Sequence, residues 1–598
     1  MERLRERAQG AAPSSSASKC YSVIGIYGVA GSGKTTLARY IRDCIKCTEL
    51  FDTIMCLHVS EAFSVDAIFN EMLKDITKNR HSYISDREEL EEKLKKSLRG
   101  KRFFLILDDL WVKNKNDPQL VEVISPLSVG MKGSKILVTA RTKDAARALC
   151  ADEPIKMPDL DEEQYFEMFM HYALDGTSFA HEGFISVGRE IAKKLHRSPL
   201  LAVTVAGRLG ANPNISFWKN VAKLDMLNDT MDALWWSYQH LNPDIRRCFE
   251  FCNIFPRRSK LRKDELVRLW IAQGFVKSSC ATEDMEDVAE GYIQELMSCS
   301  FLQPEVDGFS EEEYFTIHDL LHDLLDKISG TDCFRIENAR SQRGEGWKGD
   351  VPRDVRHLFV QNYDAELISN KILGLENLRT LIIDVVEKDA LVEGKVIESI
   401  CKRLPKLRVL AVAFSNNLSG IWEIKFSVPK SIAQLKHLRY LAFVGSSAAQ
   451  QAEAEMQDAA GRADLLNKLA EIFGPPPGSR SPSVLFGRAS SATYGKHLHE
   501  VILPSTLNKL YHIQLLKFVG TKKLELPCAD LINLRHIFCN EGVEFSKIGI
   551  TSAYELGLKS FYMKNHLLEK LHPNLTGGTP LNIFKILKNL TEKKLRGF

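Results

Sequence analysis

The residues with the clearest chemistry lie in a glycine-rich stretch, GVAGSGKTT, at positions 28–36. Glycines in such a loop let the backbone curl, so that successive N–H groups face a phosphate. Lys34 is then expected to reach the β- and γ-phosphates of a nucleotide, and the Thr35 hydroxyl is expected to be a ligand of Mg²⁺. The stretch therefore predicts a P-loop that binds a purine nucleotide, ADP or ATP, with Mg²⁺. The loop residues predicted to contact the nucleotide are Gly28, Gly31, Ser32, Gly33, Lys34, Thr35 and Thr36.

A pair of carboxylates follows a second apolar segment, KRFFLILDDLW, at 101–111. The unbroken apolar stretch 103–107 is typical of a parallel strand that is covered on both faces. Asp108 and Asp109 would lie at the carboxyl end of this strand, where open α/β sheets bind ligands. We predict that Asp108 binds Mg²⁺, through water, and that Asp109 is the catalytic residue that orients or deprotonates an attacking water.

An arginine ends a third apolar segment, GSKILVTAR, at 133–141. Arg141 could contact the γ-phosphate and so distinguish ATP from ADP. The alternative is that Arg141 forms a surface salt bridge.

The elements around these residues alternate between strands and helices. The segment 21–27 (YSVIGIY) predicts a buried strand before the glycine-rich loop, and 37–45 (LARYIRDCI) has helical periodicity after it. The segment 51–60 predicts another strand, and 87–99 predicts an amphipathic helix. This alternation favours a parallel α/β domain over residues 20–155.

Composition bounds the class of protein. The 598 residues include 80 Lys and Arg and 77 Asp and Glu, a net charge of +3, so no overall field favours nucleic acid or an acidic membrane. No apolar stretch approaches the roughly 20 residues of a membrane span, and the N-terminus lacks the apolar core of a secretory signal. The 13 cysteines follow no framework and predict reduced thiols, hence the cytoplasm or the nucleus.

Seven motifs occur in one order: GVAGSGKTT, FDTIMCLHVSEAFS, KRFFLILDDLW, GSKILVTAR, HRSPLLAVTVAG, CFEFCNIFP and IHDLLHDL. In this order they resemble the NB-ARC ATPase of plant nucleotide-binding leucine-rich-repeat immune receptors, which belong to the STAND class of P-loop ATPases. The resemblance covers about residues 20–335. It implies a helical domain over 156–228, a winged-helix domain over 229–335 and a linker over 336–350, after a disordered tail over 1–19.

The resemblance also implies roles for residues outside the glycine-rich loop. Pro199 matches the proline that packs near the adenine, and His318 matches the histidine that contacts the β-phosphate of ADP. Asp319 is implied to hold a closed state together. Without the resemblance, a His-Asp pair would more often be a helix cap or a surface pair.

Three positions depart from the family pattern. The segment 196–201 reads HRSPLL and lacks the usual glycine, so the turn before Pro199 is expected to differ. Ala140 stands where a second threonine is usual, and Ile317 replaces a methionine. None of these changes removes a charged group of the predicted site.

The C-terminal part, 351–598, contains five leucine triplets with a three-residue spacing. Leucine-rich repeats place one strand per unit on a concave face, although an amphipathic helix gives the same spacing. The repeats are expected to be interrupted by an insertion at about 446–496, which is rich first in Ala, Gln and Glu and then in Pro and Ser. The triplets begin at Leu375, Leu404, Leu435, Leu510 and Leu531.

The resemblance implies an ADP/ATP-dependent switch, an intracellular plant immune receptor with a slow regulatory ATPase activity. Its repeats would bind a pathogen effector or a host guardee protein, and the chain would form a homo-oligomer or act with a partner receptor, without nucleic acid. Because only about 20 residues precede the first strand, a truncated or decoy fragment that needs a partner remains an alternative. A DNA-binding STAND regulator is another, and a metabolic kinase or transporter ATPase is a third that lacks a recognisable acceptor or transporter signature.

Overall fold

The computed structural model describes most of the chain between residues 20 and 562. The described residues are 20–48, 50–59, 63–77, 84, 86–111, 117–149, 153–174, 182–277, 284–305, 313–337, 347–361, 364–386, 394–414, 424–445, 498–519, 521–525, 533, 536–539, 544–545 and 560–562. The predicted tail at 1–19 and the predicted insertion at 446–496 lie outside this part of the chain.

A parallel five-stranded sheet forms the first unit, with strand order β2-β3-β4-β1-β5. Its strands are β1 (Tyr21–Tyr27), β2 (Thr53–His58), β3 (Phe103–Leu110), β4 (Ser134–Ala140) and β5 (Ile155–Lys156). Every residue of β3 is buried, because β2 and β4 flank it and helices cover both faces of the sheet. The carboxyl ends of β1 and β3 both meet the last residue of β4, Ala140, so the residues that follow these strands share one edge.

Helices cover this sheet as the periodicity predicts. The third of them shows why: Asp86 caps its first turn by accepting the Glu89 N–H at 2.8 Å, and Leu90, Leu94 and Leu98 form one fully buried stripe. The covering helices are α1 (Lys34–Lys46), α2 (Val65–Ile76), α3 (Arg87–Leu98), α4 (Pro118–Ile124) and α5 (Lys143–Arg147).

Five helices follow the sheet, and one of them, α8, is buried along most of its length. Ser198 caps α8 and Pro199 occupies its first turn, where a missing N–H costs nothing. The five helices are α6 (Glu162–Ala173), α7 (Glu182–Lys194), α8 (Pro199–Gly210), α9 (Ile215–Ala222) and α10 (Thr230–Gln239).

The next segment combines helices with a small antiparallel sheet of strand order β6-β8-β7. Its strands are β6 (Leu261–Arg262), β7 (Gln303–Glu305) and β8 (Tyr314–Thr316). Its helices are α11 (Pro243–Phe251), α12 (Lys263–Gln273), α13 (Met285–Ser298) and α14 (Asp319–Ile328).

The C-terminal strands form a ladder of eight parallel strands. They are β9 (Cys333–Ile336), β10 (His357–Gln361), β11 (Thr380–Val386), β12 (Val409–Phe414), β14 (Tyr440–Gly445), β16 (Leu515–Val519), β18 (His536–Cys539) and β20 (Ser560–Tyr562). A second parallel sheet contains β13 (Ile424–Ser427), β15 (Leu498–Ile502), β17 (Thr521–Glu525) and β19 (Glu544–Phe545). The helices of this part are α15 (Ala365–Leu367) and α16 (Gly394–Arg403).

The leucine triplets lead into strands of this ladder rather than lying on amphipathic helices. In the triplet that begins at Leu404, Leu407 lies in the turn before β12 and Leu410 lies within β12, and all three are fully buried. Strands β14 and β16 pair directly although 69 residues separate Gly445 from Leu515 by number, with Tyr440 opposite Leu515. The ladder register therefore continues across the interval that contains the predicted insertion. Of the fifth triplet, Leu531 and Leu534 lie outside the described residues.

A row of side chains at matching positions of six neighbouring strands packs against the α11–α13 segment. Aligned by strand pairing, the members of this inner row are His357, Thr380, Val409, Tyr440, Leu515 and His536. The His357 ring lies 5.0 Å from the ring of Phe251. The Tyr440 hydroxyl donates to Glu265 at 3.1 Å.

Two arginines from the same ladder reach the end of helix α12. The Arg408 guanidinium donates to the Gln273 carbonyl, and that of Arg439 donates to the Ala272 carbonyl at 3.4 Å. These carbonyls lie in the last turn of α12, where helix geometry leaves them without an N–H partner and where the helix dipole favours a cation. The helix has its own left-handed cap residue, Gly274, and the ladder adds donors to the last carbonyls.

Candidate nucleotide-binding site

The glycine-rich loop has the curled backbone that its sequence predicts. Gly28 continues from β1 and its N–H donates to the Ala140 carbonyl at 3.2 Å. Gly31 (φ 76°) and Gly33 (φ 87°) both lie in the left-handed region, which glycine enters without strain. Helix α1 begins directly after Gly33, at Lys34, so its first N–H groups point towards the loop.

Lys34 is buried within this loop. Its ammonium donates to the Val29 carbonyl at 2.7 Å, which holds the side chain across the curl. Burial lowers its pKa, and the nearby carboxylates of Asp109 and Asp108 oppose that shift. A cation held in a water-poor loop is suited to bind phosphate oxygens.

Asp108 is the hub of the hydrogen bonds at the end of β3. The Thr35 hydroxyl lies 2.9 Å from Asp108 Oδ2, and the Thr139 hydroxyl donates to Asp108 Oδ1 at 2.5 Å. Thr139 in turn accepts the Asp109 N–H at 2.9 Å. Burial alone would raise the pKa of Asp108, but the Arg258 guanidinium and these hydroxyls outweigh burial and lower the pKa, so the carboxylate is ionised.

Asp109 has a left-handed backbone (φ 54°) that turns its carboxylate towards Arg141. The Arg141 guanidinium donates to this carboxylate at 3.1 and 3.3 Å and lies 4.5 Å from the centre of the Trp111 ring. The Trp111 indole N–H also donates to Asp109, at 3.2 Å. Arg141 therefore forms an ion pair, as the alternative interpretation held, but with a residue of the predicted site rather than with a distant surface group. Its contact with a γ-phosphate stays a prediction.

His318 caps helix α14 and lines the same cavity as the glycine-rich loop. Its Nδ1 accepts the Leu320 N–H at 3.2 Å, so in the neutral ring the proton resides on Nε2, which is left as a donor. Burial lowers the pKa of His318 and favours this neutral form. The His-Asp pair is thus a helix cap, as its sequence alone suggests, and both residues also line the cavity beside the glycine-rich loop.

Arg258, which the sequence did not single out, forms hydrogen bonds with both Asp108 and Asp319. Its Nη1 donates to Asp108 Oδ2 at 2.6 Å, while Nε and Nη2 donate to the two oxygens of Asp319 at 3.1 and 2.5 Å. Burial alone would raise the pKa of Asp319, but this guanidinium lowers it well below the usual range. Nothing in the segment CNIFPRRSK marks this role, because both partners are remote in sequence.

The turn before helix α8 brings Pro199 beside the glycine-rich loop. The Leu200 N–H lies 3.5 Å from the Gly31 carbonyl, and a Cβ on Gly31 would lie 3.1 Å from Ser198 Oγ. Arg197 adopts φ 55°, the conformation that the family's missing glycine would adopt easily. The turn before Pro199 therefore departs from the family pattern in residue type. Arg197 adopts the left-handed backbone where a glycine is usual, at a cost of about 1–2 kcal/mol.

These groups enclose one cavity of about 190 Å³. Its lining comes from the first sheet, from helix α8 and from the α11–α14 segment, so three parts of the chain meet there. The predicted site residues at its wall are Gly31, Gly33, Lys34, Thr35, Thr36, Asp109, Arg141, Pro199 and His318. Gly28 and Ser32 support the loop without lining the cavity, and Asp108 lies behind Thr35 and Arg258.

Two protein-family models match parts of this chain. The NB-ARC domain matches residues 12–178, and the winged-helix domain of disease resistance proteins matches residues 254–325. This chain contains an NB-ARC domain and a winged-helix domain of the disease resistance type. The resemblance predicted from the motif order is confirmed, and the α/β P-loop and winged-helix assignments with it.

Individual relatives agree with this assignment. A protein of Arabidopsis thaliana named for disease resistance is 30% identical over 430 residues, which cover 70% of this chain and 29% of the relative. Disease resistance protein RGA2 of Solanum bulbocastanum is 32% identical over 313 residues, 51% of this chain and 32% of the relative. The chain thus spans about a third of the length of these relatives.

Solved structures give a weaker likeness. A STAND protein with a tetratricopeptide repeat sensor from Pyrococcus horikoshii is 14% identical, with a TM-score of 0.35 over 55% of this chain and 42% of that one. Within the described part of the chain, no helix has both the length and the apolar character that crossing a membrane requires.

Proposed function

We propose that this chain is an ADP/ATP-dependent switch and acts as a plant immune receptor in the defence response. The winged-helix segment is the part from α11 to α14, residues 243–328. The observation that carries the proposal is one cavity whose wall joins Lys34 of the P-loop, Pro199 of helix α8 and His318 of this winged-helix segment. A ligand in such a cavity contacts all three parts at once, so its chemical state can bias how they are arranged.

The residues of the sheet would bind the phosphates. The loop N–H groups and Lys34 would hold the β-phosphate, and Lys34 would also reach a γ-phosphate. Thr35 and Asp108 offer the hydroxyl and carboxylate oxygens that Mg²⁺ prefers, so the donor set fits this ion, which when bound neutralises phosphate charge. Asp109 would orient or deprotonate a water in a slow hydrolysis that resets the switch, once Arg141 has left it for the γ-phosphate.

The winged-helix segment would distinguish the two nucleotides. In the closed arrangement the Nε2–H of His318 is available to a diphosphate, and Asp319 is tied to the sheet through Arg258. A γ-phosphate would bring further negative charge towards Arg141 and towards the Asp108–Arg258–Asp319 contact. The triphosphate would therefore favour an open arrangement, which is competent to form a homo-oligomer or to engage a partner receptor.

We further propose that the C-terminal ladder is a leucine-rich-repeat solenoid that recognises a pathogen effector or a host guardee protein. The buried leucines before and within the parallel strands, and the continuous register of the ladder, support this assignment. The cytoplasm, or the nucleus, is the proposed site of action.

Hydrogen exchange of the purified chain tests the switch. The chain is loaded with ADP or with a non-hydrolysable ATP analogue in the presence of Mg²⁺, and exchange is followed at 314–322 and 103–111. We expect ADP to protect the first of these segments more strongly than the analogue does. Lys34→Ala should abolish binding of both, whereas Lys46→Ala, at the exposed end of the same helix, should leave binding intact.

The outcomes separate two failures. If wild-type protein binds neither nucleotide, or if Lys34→Ala binds as the wild type does, the nucleotide site itself is wrong. If both nucleotides bind and give equal protection at 314–322, the switch is wrong and a nucleotide-binding module remains.

A further inference from the structure

Arg258 is a partly buried cation between two buried carboxylates that come from different parts of the chain. Its side chain is 21% exposed, against 6% for Asp108 and 7% for Asp319. Asp108 lies in the last three residues of strand β3 of the first sheet, and Asp319 begins helix α14 of the winged-helix segment. The guanidinium is thus the ionic connection between the two parts at this point.

Arg258 reaches both carboxylates because of its backbone and its shape. The residue has φ 59°, a left-handed conformation that is uncommon for arginine. The planar guanidinium then presents one edge, Nε and Nη2, to Asp319 and its remaining nitrogen, Nη1, to Asp108. Lysine has a single charged nitrogen and cannot reproduce this fork.

The contact occupies an oxygen that a metal ion would need. Asp108 Oδ1 already accepts hydrogen bonds from Thr139 at 2.5 Å and from Thr35 at 3.1 Å. Asp108 Oδ2 accepts from Thr35 at 2.9 Å and from Arg258 at 2.6 Å. The single Thr35 hydroxyl hydrogen is shared between the two oxygens, so three donors surround a carboxylate that offers about four acceptor positions. Arg258, unlike Asp108, lines the cavity, so it stands between Asp108 Oδ2 and the cavity. The donor set suits Mg²⁺, but Arg258 holds the position that would serve the ion.

We propose that Arg258 and Mg²⁺ compete for Asp108, so that Arg258 is the positioning residue that links metal binding to the winged-helix segment. With Arg258 on Asp108, the closed arrangement binds a nucleoside diphosphate without Mg²⁺. Binding of a triphosphate with Mg²⁺ requires Arg258 to leave Asp108, which frees the segment that begins at Asp319. This inference rests on the proposed nucleotide site and names how that site is regulated.

The competition follows from charge as well as from space. A divalent ion at Asp108 would lie next to a guanidinium that cannot lose its proton, and the two cations repel each other in a water-poor site. By linkage, if Arg258 weakens Mg²⁺ binding, then Mg²⁺ must weaken the Arg258 contact by the same factor. The two effects can therefore be measured separately.

The test measures the affinity for a fluorescent ADP analogue with excess EDTA and with MgCl₂. In wild-type protein we expect the two dissociation constants to agree within about twofold, because Arg258 excludes the ion. In Arg258→Ala we expect Mg²⁺ to tighten binding on the order of tenfold, a usual size for coupling between sites. Arg258→Lys, which retains the charge but not the fork, should lie between the two.

Arg257→Ala is the matched control. Arg257 is the neighbouring arginine of the same turn, but it pairs with Asp323 at 2.7 Å and with Asp326 at 2.6 Å, away from Asp108. It should show the wild-type indifference to Mg²⁺. If Arg258→Ala shows no larger Mg²⁺ effect than Arg257→Ala does, the competition is refuted while ADP binding, and with it the proposed nucleotide site, is retained.

A second measurement uses only wild-type protein and so does not depend on the folding of a variant. With the non-hydrolysable ATP analogue bound, Mg²⁺ should increase hydrogen exchange at 257–262 and 318–322 relative to EDTA. Unchanged exchange at saturating analogue would overturn the proposal, and failure of the analogue to bind in either condition would overturn the proposed function itself.

Discussion

Thr139 holds two groups of the site with one hydroxyl, and Thr139→Val tests how much that hydroxyl contributes. The side chain is fully buried, donates to Asp108 at 2.5 Å and accepts the Asp109 N–H at 2.9 Å. Valine has the same shape and suits a strand, so the backbone of β4 should be unaffected. The substitution isolates the loss of the hydrogen bonds.

The expected loss follows from the partners that remain. An unsatisfied buried N–H costs about 1–3 kcal/mol, and a hydrogen bond to an ionised carboxylate contributes about 1.5–3 kcal/mol. Since the two effects share one site and do not add fully, we expect a loss of about 2–4 kcal/mol in local stability.

Hydrogen exchange of β3 and β4, analysed by mass spectrometry, measures this loss directly. A change of about 2–4 kcal/mol corresponds to a fall in protection of roughly 30-fold or more for the amides near Asp109. Thr204→Val provides the matched control. Thr204 is equally buried, and its hydroxyl donates at 2.7 Å to the Leu200 carbonyl, which also accepts a helical N–H. The control should lose about 1 kcal/mol or less, because the Leu200 carbonyl keeps its helical N–H partner. Equal losses in the two variants would show that the hydroxyl of Thr139 has no special role at Asp108.

Two further predictions concern the loop and the response to acid. Gly31→Ala and Gly33→Ala each place alanine at a positive φ and should each lose about 1–2 kcal/mol of unfolding free energy without nucleotide. Gly31→Ala should lose more, because its Cβ would lie 3.1 Å from Ser198 Oγ, whereas the nearest atom to a Cβ at Gly33 lies at 3.9 Å; equal urea midpoints would contradict this. Burial and nearby arginines lower the pKa of His322 and of His357 from 6.5 to about 3. Both rings therefore stay neutral in the folded chain while unfolding lets them bind protons below pH 6.5, so each should reduce the unfolding free energy by about 2 kcal/mol between pH 7 and pH 5. His357→Gln should remove the contribution of this ring, about 2 kcal/mol between pH 7 and pH 5, from the pH dependence of the unfolding free energy. If urea titrations of the variant show the wild-type pH dependence, the assignment to this ring is refuted.

The sequence predicted the parts of the site that are encoded locally. The P-loop, its helix and the strand before Asp108 lie where the motifs place them, because glycine positions, β-branched residues and helical periodicity act over a few residues. The placement of His318 beside the same cavity came from the order of the motifs and not from spacing.

The sequence could not predict contacts between distant segments. Arg258 lies 150 residues from Asp108 and 61 residues from Asp319, and no pattern within the chain links the three. The leucine triplets were ambiguous for a different physical reason. A three-residue spacing fits both a helical stripe and a turn that leads into a strand, and pairing with the neighbouring strands decides between them.

The inner row of the ladder has a consequence for how its units can be exchanged. Each of six successive strands places one side chain of this row against the winged-helix segment, and these strands lie about 4.8 Å apart. A unit transplanted from a related protein must therefore match a counterpart in the winged-helix segment, such as Glu265 opposite Tyr440. Chimeras that carry the donor's α11–α13 segment together with the donor's units should keep this fit, and chimeras that carry the units alone should lose it.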